Sequence, residues 1–343
     1  MELRIAILGF GNVGRALARL LLRKEAELAQ EFDLRFSVTG LMTARHGSAV
    51  NWTGIDLQAA LDTYESGAAL DQLSSDLPPD DGLLFIHQCP ADVLIELTPT
   101  NVTDGEPAVS HVRAALEKRL HVVSANKGPL AFAYRELRDL AKAQERAFLF
   151  ESTVMDGGPV FGVARAGLPA ARITGFRGVL NSTTNFILTQ IETGTSFDEA
   201  VRAAQAMGIA ETDPSGDVDG WDATVKTVAL ANVLMGADLR PADVDRTGMR
   251  DLTAQDLQAA KERGRRVKLV CRSERQGDAI AARVAPEEVP LDDPLASLGG
   301  TSSMVTLYTD TLKALSLIEA EPEPAQTAFG VLADLVNLAR GWY

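Results

Sequence analysis

Cysteine is nearly absent. Only Cys89 and Cys271 occur in 343 residues, far apart in the chain, so there is neither a disulfide framework nor the ligand count of a thiolate metal site. The four histidines, His46, His87, His111 and His121, include no i, i+4 pair of the metalloprotease kind. Basic residues are outnumbered, 33 Lys and Arg against 47 Asp and Glu, for a net charge of -14. Non-specific nucleic-acid binding needs clustered cations that release counterions, so no nucleic-acid partner is expected. No apolar run reaches the roughly 18 residues of a membrane span. The N-terminus "MELRIAILGF" enters a strand pattern without a charged region, apolar stretch and cleavage site. A cytoplasmic protein with no membrane partner is expected. Internal repeats, low-complexity tracts and long charge runs are also missing.

What is present suits a buried core: 46% hydrophobic residues, in a chain long enough for two domains of ordinary size. Residues 3–8 read as a strand, 9–14 as a tight turn, and "VGRALARLLLRKEAEL" as an amphipathic helix, followed by a strand at 34–42. That is a βαβ start and predicts a parallel sheet with right-handed crossovers. Further strands are expected at "GLLFIH", "DVLIELT", "HVVSA" and "FLFES", with helices at "EPAVSHVRAALEKRL" and "RELRDLAKAQERA". After Glu151 the alternation loosens, with strands at "ITGFRGVL", "RRVKLVCRS", "AIAARVAP" and "SMVTLYTD". The expected fold is α/β: a Rossmann-type doubly wound parallel sheet over residues 1–150, completed by a C-terminal helix at 325–343, and a second α+β domain with a mixed sheet over 151–324.

In "IAILGFGNVGRAL", Gly9, Gly11 and Gly14 form G-x-G-x-x-G directly between strand and helix. The first glycine permits the turn, the second admits a pyrophosphate to the backbone, and the third lets helix and strand pack closely. Phe10, Asn12 and Val13 complete the cofactor loop, whose anion sits on the N–H groups and positive dipole end of the helix. The second strand's end, "SVTGLMTARHG", lacks the acid that bonds a ribose 2′-hydroxyl and offers Arg45 to a 2′-phosphate. NADP(H) is therefore favoured over NAD(H), the plain alternative being that Arg45 is a surface arginine.

Three further stretches belong together: "HVVSANKGPLA" with Lys127, "FRGVLNSTTNFIL", and "AETDPSGDVDGWDATVK" with Glu211, Asp213, Asp217, Asp219, Asp222 and Lys226. Asp222 and Lys226 could be a solvated i, i+4 pair worth about 0.2–0.5 kcal/mol. The continuation "TVALANVLMGA" has no charge on any face, however, and a helix apolar all round is buried. A lysine in its early turns then needs a partner or a task. Ala204, Gly208, Asp213, Pro214, Asp217, Gly220, Asp222 and Lys226 also meet a long gapped pattern, Ala-x3-Gly, Asp-Pro-x2-Asp, Gly-x-Asp-x3-Lys. With "GFGNVG", "ANKGPLA", "GVLNSTTNFIL" and the terminal "TAFGVLADL", nearly the whole chain resembles homoserine dehydrogenase.

The resemblance implies NAD(P)-dependent interconversion of L-homoserine and L-aspartate 4-semialdehyde, on the route to threonine and methionine. It assigns Lys226 and Lys127 to the reacting oxygen, Glu211, Asp222 and Asp217 to the substrate's ammonium, and polar donors such as Asn181 and Thr183 to its other groups. It places Thr98 and Lys127 beside the cofactor. It also implies a monovalent cation, Na+ or K+, held by the Glu151 side chain and largely by backbone at Val154, Asp156 and Gly158, although Met155 and Asp156 stand where glycine or alanine is common. Homodimerisation through the second domain is the family's habit. Two departures stand out. Where many members have a glycine-rich loop near the cofactor, this chain has "IEAEPEPAQTA" with Glu319, Glu321 and Glu323. The sequence also ends at Tyr343, so a regulatory ACT-type domain and its threonine feedback are not expected. Two rivals remain open: a related dehydrogenase of another small amino or hydroxy acid, and an inactive nucleotide-binding sensor.

Overall fold

A computed structural model describes residues 1–343, apart from the side chain of Pro324. The chain divides into two compact units. One comprises Met1–Pro129, Ala133–Pro159 and Glu323–Tyr343, the other Leu130–Phe132 and Val160–Pro322.

The first unit runs β1 (Glu2–Leu8), α1 (Asn12–Glu31), β2 (Arg35–Thr43), β3 (Gly47–Val50), α2 (Leu57–Glu65), α3 (Gly82–Gln88), β4 (Val93–Glu96), α4 (Ala108–Glu117), β5 (His121–Ser124), α5 (Gly128–Phe132, whose last three residues belong to the other unit), α6 (Tyr134–Ala143) and β6 (Phe148–Leu149). The sheet order is β3-β2-β1-β4-β5-β6. All pairs are parallel except β2 with β3. Ile5, Ala6, Ile7 and Leu8 are buried without alternation, as a central strand covered on both faces requires. The chain moves outward from β1 to β3 and then returns to β4 on the other side of β1. The crevice at the C-terminal ends of β1 and β4 is thus the switch point where such sheets bind ligands. The C-terminal helix (Pro324–Ala339) packs on α1, with Val331, Leu335 and Leu338 in one core with Leu17 and Leu21.

One expected strand is a helix. "GLLFIH" forms α3 because the Asp81 carboxylate accepts from Leu84 N (2.8 Å) at its N-cap. Phe85, Ile86 and Cys89 then face the core while Leu83 and Leu84 stay exposed. A short apolar run looks the same as a strand until its cap is recognised.

The second unit runs α7 (Val160–Gly162), β7 (Ile173–Val179), α8 (Ser182–Glu192), α9 (Phe197–Ala206), α10 (Ser215–Val218), α11 (Trp221–Met235), β8 (Asp245–Arg246), α12 (Ala254–Glu262), β9 (Arg265–Gln276), β10 (Ala279–Pro290), β11 (Ser303–Thr309) and β12 (Lys313–Glu319). Its sheet, ordered β12-β11-β7-β9-β10-β8, is antiparallel except where β8 joins β10. Strands β3, β8 and β12 go beyond the sequence-based expectation. Helix α11 lies on β7, β9 and β10 and buries Val225, Val228, Ala229, Leu230 and Ala231. Ile187, Leu188 and Ile191 of α8, Ala200 and Ala204 of α9, and Leu257 of α12 close a separate core.

Candidate active site

The glycine turn of the first unit has the geometry its sequence requires. Gly9 has φ +112°, and a Cβ there would lie 2.5 Å from the Leu97 carbonyl carbon, so only glycine fits between β1 and the end of β4. A Cβ on Gly14 would lie 2.5 Å from Gly9 O, which is how closely α1 approaches the turn. At Gly11 the same test meets no atom within 4 Å, leaving the space over the helix N-terminus clear for an anion. The N–H groups of Gly9 and Phe10 both donate to Met42 O (2.9 Å each), tying the turn to the end of β2, and Phe10 is fully buried beneath it. Asn12 is exposed and Val13 half-buried in the first turn of α1, where Asn12 Oδ1 accepts from Arg15 Nη2 (2.7 Å). Arg45 is exposed in the β2–β3 turn, its N–H and that of His46 both donating to Thr43 Oγ1 (3.1 Å). The Arg15 guanidinium stacks over Tyr64 at 4.1 Å, and the His46 ring lies 4.3 Å from the same tyrosine.

On the other side of β1, Thr98 follows β4 and Lys127 follows β5. Asn126 joins them: its Nδ2 donates to Thr98 O (2.8 Å), while its Oδ1 accepts from Thr100 Oγ1 (3.1 Å) and Gly128 N (2.9 Å). Lys127 is thereby held between two anchored residues at the N-terminus of α5. Glu96, fully buried at the end of β4, accepts from the hydroxyl and N–H of Thr98, the latter at 3.3 Å, with His111 Nδ1 3.4 Å from the same oxygen. Asn126 and Glu96, which the sequence-based expectation does not include, hold Thr98 at the C-terminal edge of the sheet.

The segment from Glu151 to Gly158 forms a buried loop against the C-terminal helix. Glu151 is 5% and Val154 1% exposed. Glu151 N donates to Asp334 Oδ2 (2.8 Å), Ser152 Oγ to Thr327 O (2.7 Å), and Gly158 N to Met155 O (2.5 Å). The Asp156 carboxylate accepts from Thr327 Oγ1 (2.8 Å), and Asp156 has φ +35°. Among the described residues no three His, Cys, Asp or Glu side chains converge as metal ligands. A cation at this loop would therefore take backbone carbonyls beside the Glu151 carboxylate.

In the second unit one amide organises the acids. Asn181 caps α8, its Oδ1 accepting from Thr184 N (2.8 Å). An N–H can only donate, so the other end of the amide must point away, and Nδ2 donates to Asp217 Oδ1 (2.7 Å) and Asp222 Oδ2 (2.9 Å). Gly220, left-handed at φ +80°, turns the chain from α10 into α11 and sets Asp222 and Lys226 one turn apart. Lys226 Nζ donates to Leu180 O (2.8 Å) and lies 3.3 Å from Asp222 Oδ2. Lys226 and Asp222 keep only 14% and 20% of their side-chain exposure, which removes the solvated-pair reading. Burial, and then the neighbouring charge of Asp222, push the Asp217 carboxyl above its usual range, against the Asn181 hydrogen bond and Lys226. Thr183 is buried and donates to Ile209 O (3.1 Å).

Not every acid of the stretch joins this group. Glu211 is exposed, and its contact is made by its backbone carbonyl, which accepts from Gln205 Nε2 (3.1 Å). Asp213 accepts from Ser215 N (3.0 Å) ahead of α10, and Asp219 forms a paired contact with Arg250 (2.8 and 3.0 Å). Burial raises both cysteine thiols to about 11, so neither supplies a thiolate near neutral pH.

The geometry is that of a dinucleotide turn in one unit and a lysine–dicarboxylate cluster in the other. Residues 9–151 match the family model described as the NAD binding domain of homoserine dehydrogenase, and residues 159–336 match the homoserine dehydrogenase model. The chain belongs to the homoserine dehydrogenase family. It is 38% identical to the NAD(+)-dependent homoserine dehydrogenase of Pseudomonas canavaninivorans over 338 residues, covering 98% of this chain and 96% of that one. It is 35% identical to homoserine dehydrogenase of Methanocaldococcus jannaschii, covering 97% and 98%. The crystal structure of a putative homoserine dehydrogenase from Archaeoglobus fulgidus superposes with TM-score 0.87 at 31% identity, covering 98% and 99%. A hyperthermophilic archaeal homoserine dehydrogenase in complex with NADPH does so with TM-score 0.85 at 29% identity, covering 100% and 99%. As a homoserine dehydrogenase the chain is an NAD(P)-dependent oxidoreductase acting on a CH–OH group.

Proposed function

We propose that this homoserine dehydrogenase oxidises L-homoserine to L-aspartate 4-semialdehyde, and reduces it in reverse, with Lys226 and Lys127 exchanging the proton at the reacting oxygen. The observation that carries this reading is the Lys226 amino group, 14% exposed and set between Leu180 O and Asp222. A nicotinamide cofactor held at the glycine turn would supply the hydride acceptor. The protein's part is to take the hydroxyl proton as the carbonyl forms and to return it when the aldehyde is reduced. Lys226, anchored by Leu180 O and Asp222, is the group placed to carry that proton. Asp222 and Asp217, aligned by Asn181, make a carboxylate pair for the substrate's ammonium. Glu211, exposed and outside the pair, serves as an outer contact on this reading, and Thr183 stands beside Asn181 as a polar neighbour.

The finer readings rest on single features. NADP(H) is favoured by the absence of an acid at the end of β2 and by Arg45 in the turn that follows, with Gly9, Phe10, Gly11, Asn12, Val13, Gly14 and Thr98 around the dinucleotide. The competing preference, for NAD(H), has the 38% identical Pseudomonas relative on its side. A Na+ or K+ ion at Glu151, Val154, Asp156 and Gly158 suits a loop of hard oxygen donors; Thr327 takes one oxygen of the Asp156 carboxylate, and the Asp156 carbonyl is the proposed ligand. A homodimer through the second unit is supported by edge strand β12, whose Ile318 is 60% exposed. The cytoplasm, where nicotinamide cofactors are held, is the compartment this activity implies.

The test is initial rates of semialdehyde reduction and homoserine oxidation with NADPH and NADH, with and without Na+ or K+. Activity confined to another hydroxy or amino acid would sink the substrate assignment. Arg45→Ala should raise the Kd for NADPH by about tenfold to a hundredfold while leaving that for NADH within about twofold, since a lost charge-assisted phosphate contact is worth roughly 1.5–3 kcal/mol. Equal effects on both cofactors would remove Arg45 as the 2′-phosphate reader.

A further inference from the structure

Lys268 lies on β9 and is only 1% exposed, one of the largest fully buried side chains in the molecule. Its Nζ donates to Asn185 Oδ1 (2.8 Å) and Leu298 O (2.6 Å). Among the described residues no carboxylate is within hydrogen-bond reach; Glu192 and Arg266 are the charged groups that act on it from farther away. Burial among neutral acceptors pushes the ammonium down to about 8. Burial opposes an ionised group so placed, while its two hydrogen bonds satisfy buried acceptors that an apolar side chain would leave unpaired. Desolvation by itself gives no reason for a lysine here.

Its neighbours suggest what does. The ammonium can only donate, so it fixes which end of the Asn185 amide faces it. Asn185 Nδ2 is then directed to Gly300 O and Ser302 O (3.1 Å each). These carbonyls belong to "LGGTS", residues 298–302, where Gly299 and Gly300 leave little side chain to define a shape. Asn185 is one turn along α8 from Asn181, and its N–H donates to Asn181 O (3.2 Å). Through Asn185, one turn past the Asn181 N-cap, the lysine is tied to the turn where β7 gives way to α8.

We infer that Lys268 is a positioning residue for the substrate cluster: through Asn185 it locks the first turn of α8 and residues 298–302 together, holding Asn181 at the angle that aligns Asp217 with Asp222. Lys268 does not touch substrate, since it is buried and directed onto Asn185 and Leu298. The inference rests on the reading of Asn181, Asp217 and Asp222 as the ammonium site.

Lys268→Met, Asn185→Asp, Asn185→Leu and the double variant Lys268→Met/Asn185→Leu test it. The measurements are KM and kcat with L-homoserine, NADPH Kd by fluorescence titration, and amide exchange across residues 181–186. Lys268→Met is expected to raise KM by about tenfold or more, in the range of other outer-sphere supports, and to speed exchange at Thr184, with NADPH Kd changed by no more than about twofold. Asn185→Asp keeps the acceptor for Lys268 but loses the donors to Gly300 and Ser302, and also raises KM. The double variant is no worse than the worse single one, because the two residues act as a unit. A folded Lys268→Met with unchanged KM overturns the proposal, as does a loss shared equally by KM and NADPH Kd, which marks general destabilisation. If Lys268→Met does not fold, an unchanged KM in Asn185→Asp is equally decisive. Failure of the unaltered protein to turn over homoserine would instead remove the substrate reading, while Thr184 exchange still reports on positioning.

Discussion

Asp222 and Lys226 are separated by one helical turn, a spacing that on a solvated face contributes a few tenths of a kcal/mol. Burial changes their meaning, since each then needs the other and Lys226 also draws on Leu180 O. Lys226→Ala should lower kcat by on the order of a hundredfold or more and leave NADPH Kd unchanged; near-normal turnover would take Lys226 out of the mechanism. Asp217 offers a pH test. Its carboxyl is raised by burial and by Asp222, so the folded state holds the proton more tightly than the unfolded chain. This contribution to stability is present at low pH and is lost as pH rises from the ordinary carboxylate value through the raised one. Above that window the ionised group opposes folding, and Asp217→Asn should be the more stable protein there in chemical denaturation. If the carboxylate grips an ammonium, homoserine KM in the unaltered protein should rise as pH falls into that window. The rise should be missing in Asp217→Asn, whose KM is high throughout; identical profiles would separate Asp217 from substrate binding.

Among the elements, the caps decide as much as the apolar patterns. Asp81 makes α3 a helix where an apolar run suggested a strand, and Thr253 with Asp256 closes a reciprocal box at the start of α12, at 3.2 and 2.9 Å. Thr253→Ala should cost about 0.5–2 kcal/mol in thermal or chemical unfolding and leave KM and kcat unchanged, a control for variants within the site. The acidic stretch before the C-terminal helix is likewise divided by its elements. Glu319 ends β12, Glu321 N donates to Ser302 Oγ (3.3 Å), and Glu323 begins the helix, with its N–H on Gln326 Oε1 (3.0 Å). From composition alone the three glutamates looked like one negatively charged loop.

For the molecule as a whole, 47 acids against 33 basic residues leave an excess of negative charge that repels itself. Salt screens such repulsion over about 10 Å at 0.1 M, so Tm should rise with added choline chloride from low ionic strength. A further rise with NaCl or KCl at equal ionic strength is expected if the Glu151 loop takes a cation, because a ligand that binds only the folded state stabilises it. Coincident curves for the three salts would remove that site.

Much of this protein was legible in its residues because local rules sufficed. The strand–glycine–helix start needs only Gly9, Gly11 and Gly14 at the right spacing, and the charge-free continuation of α11 announces burial by itself. The gapped pattern from Ala204 to Lys226 carries the family. Tertiary structure alone separated the acids of that stretch, because their roles depend on what arrives from distant segments. Asn181 reaches Asp217 and Asp222, Arg250 takes Asp219, and Glu211 is left at the surface. It also brought Lys268 beneath Asn185 across 83 residues of sequence. Burial and long-range hydrogen bonding fix each carboxylate's neighbours, and neither is encoded in the spacing of the residues themselves.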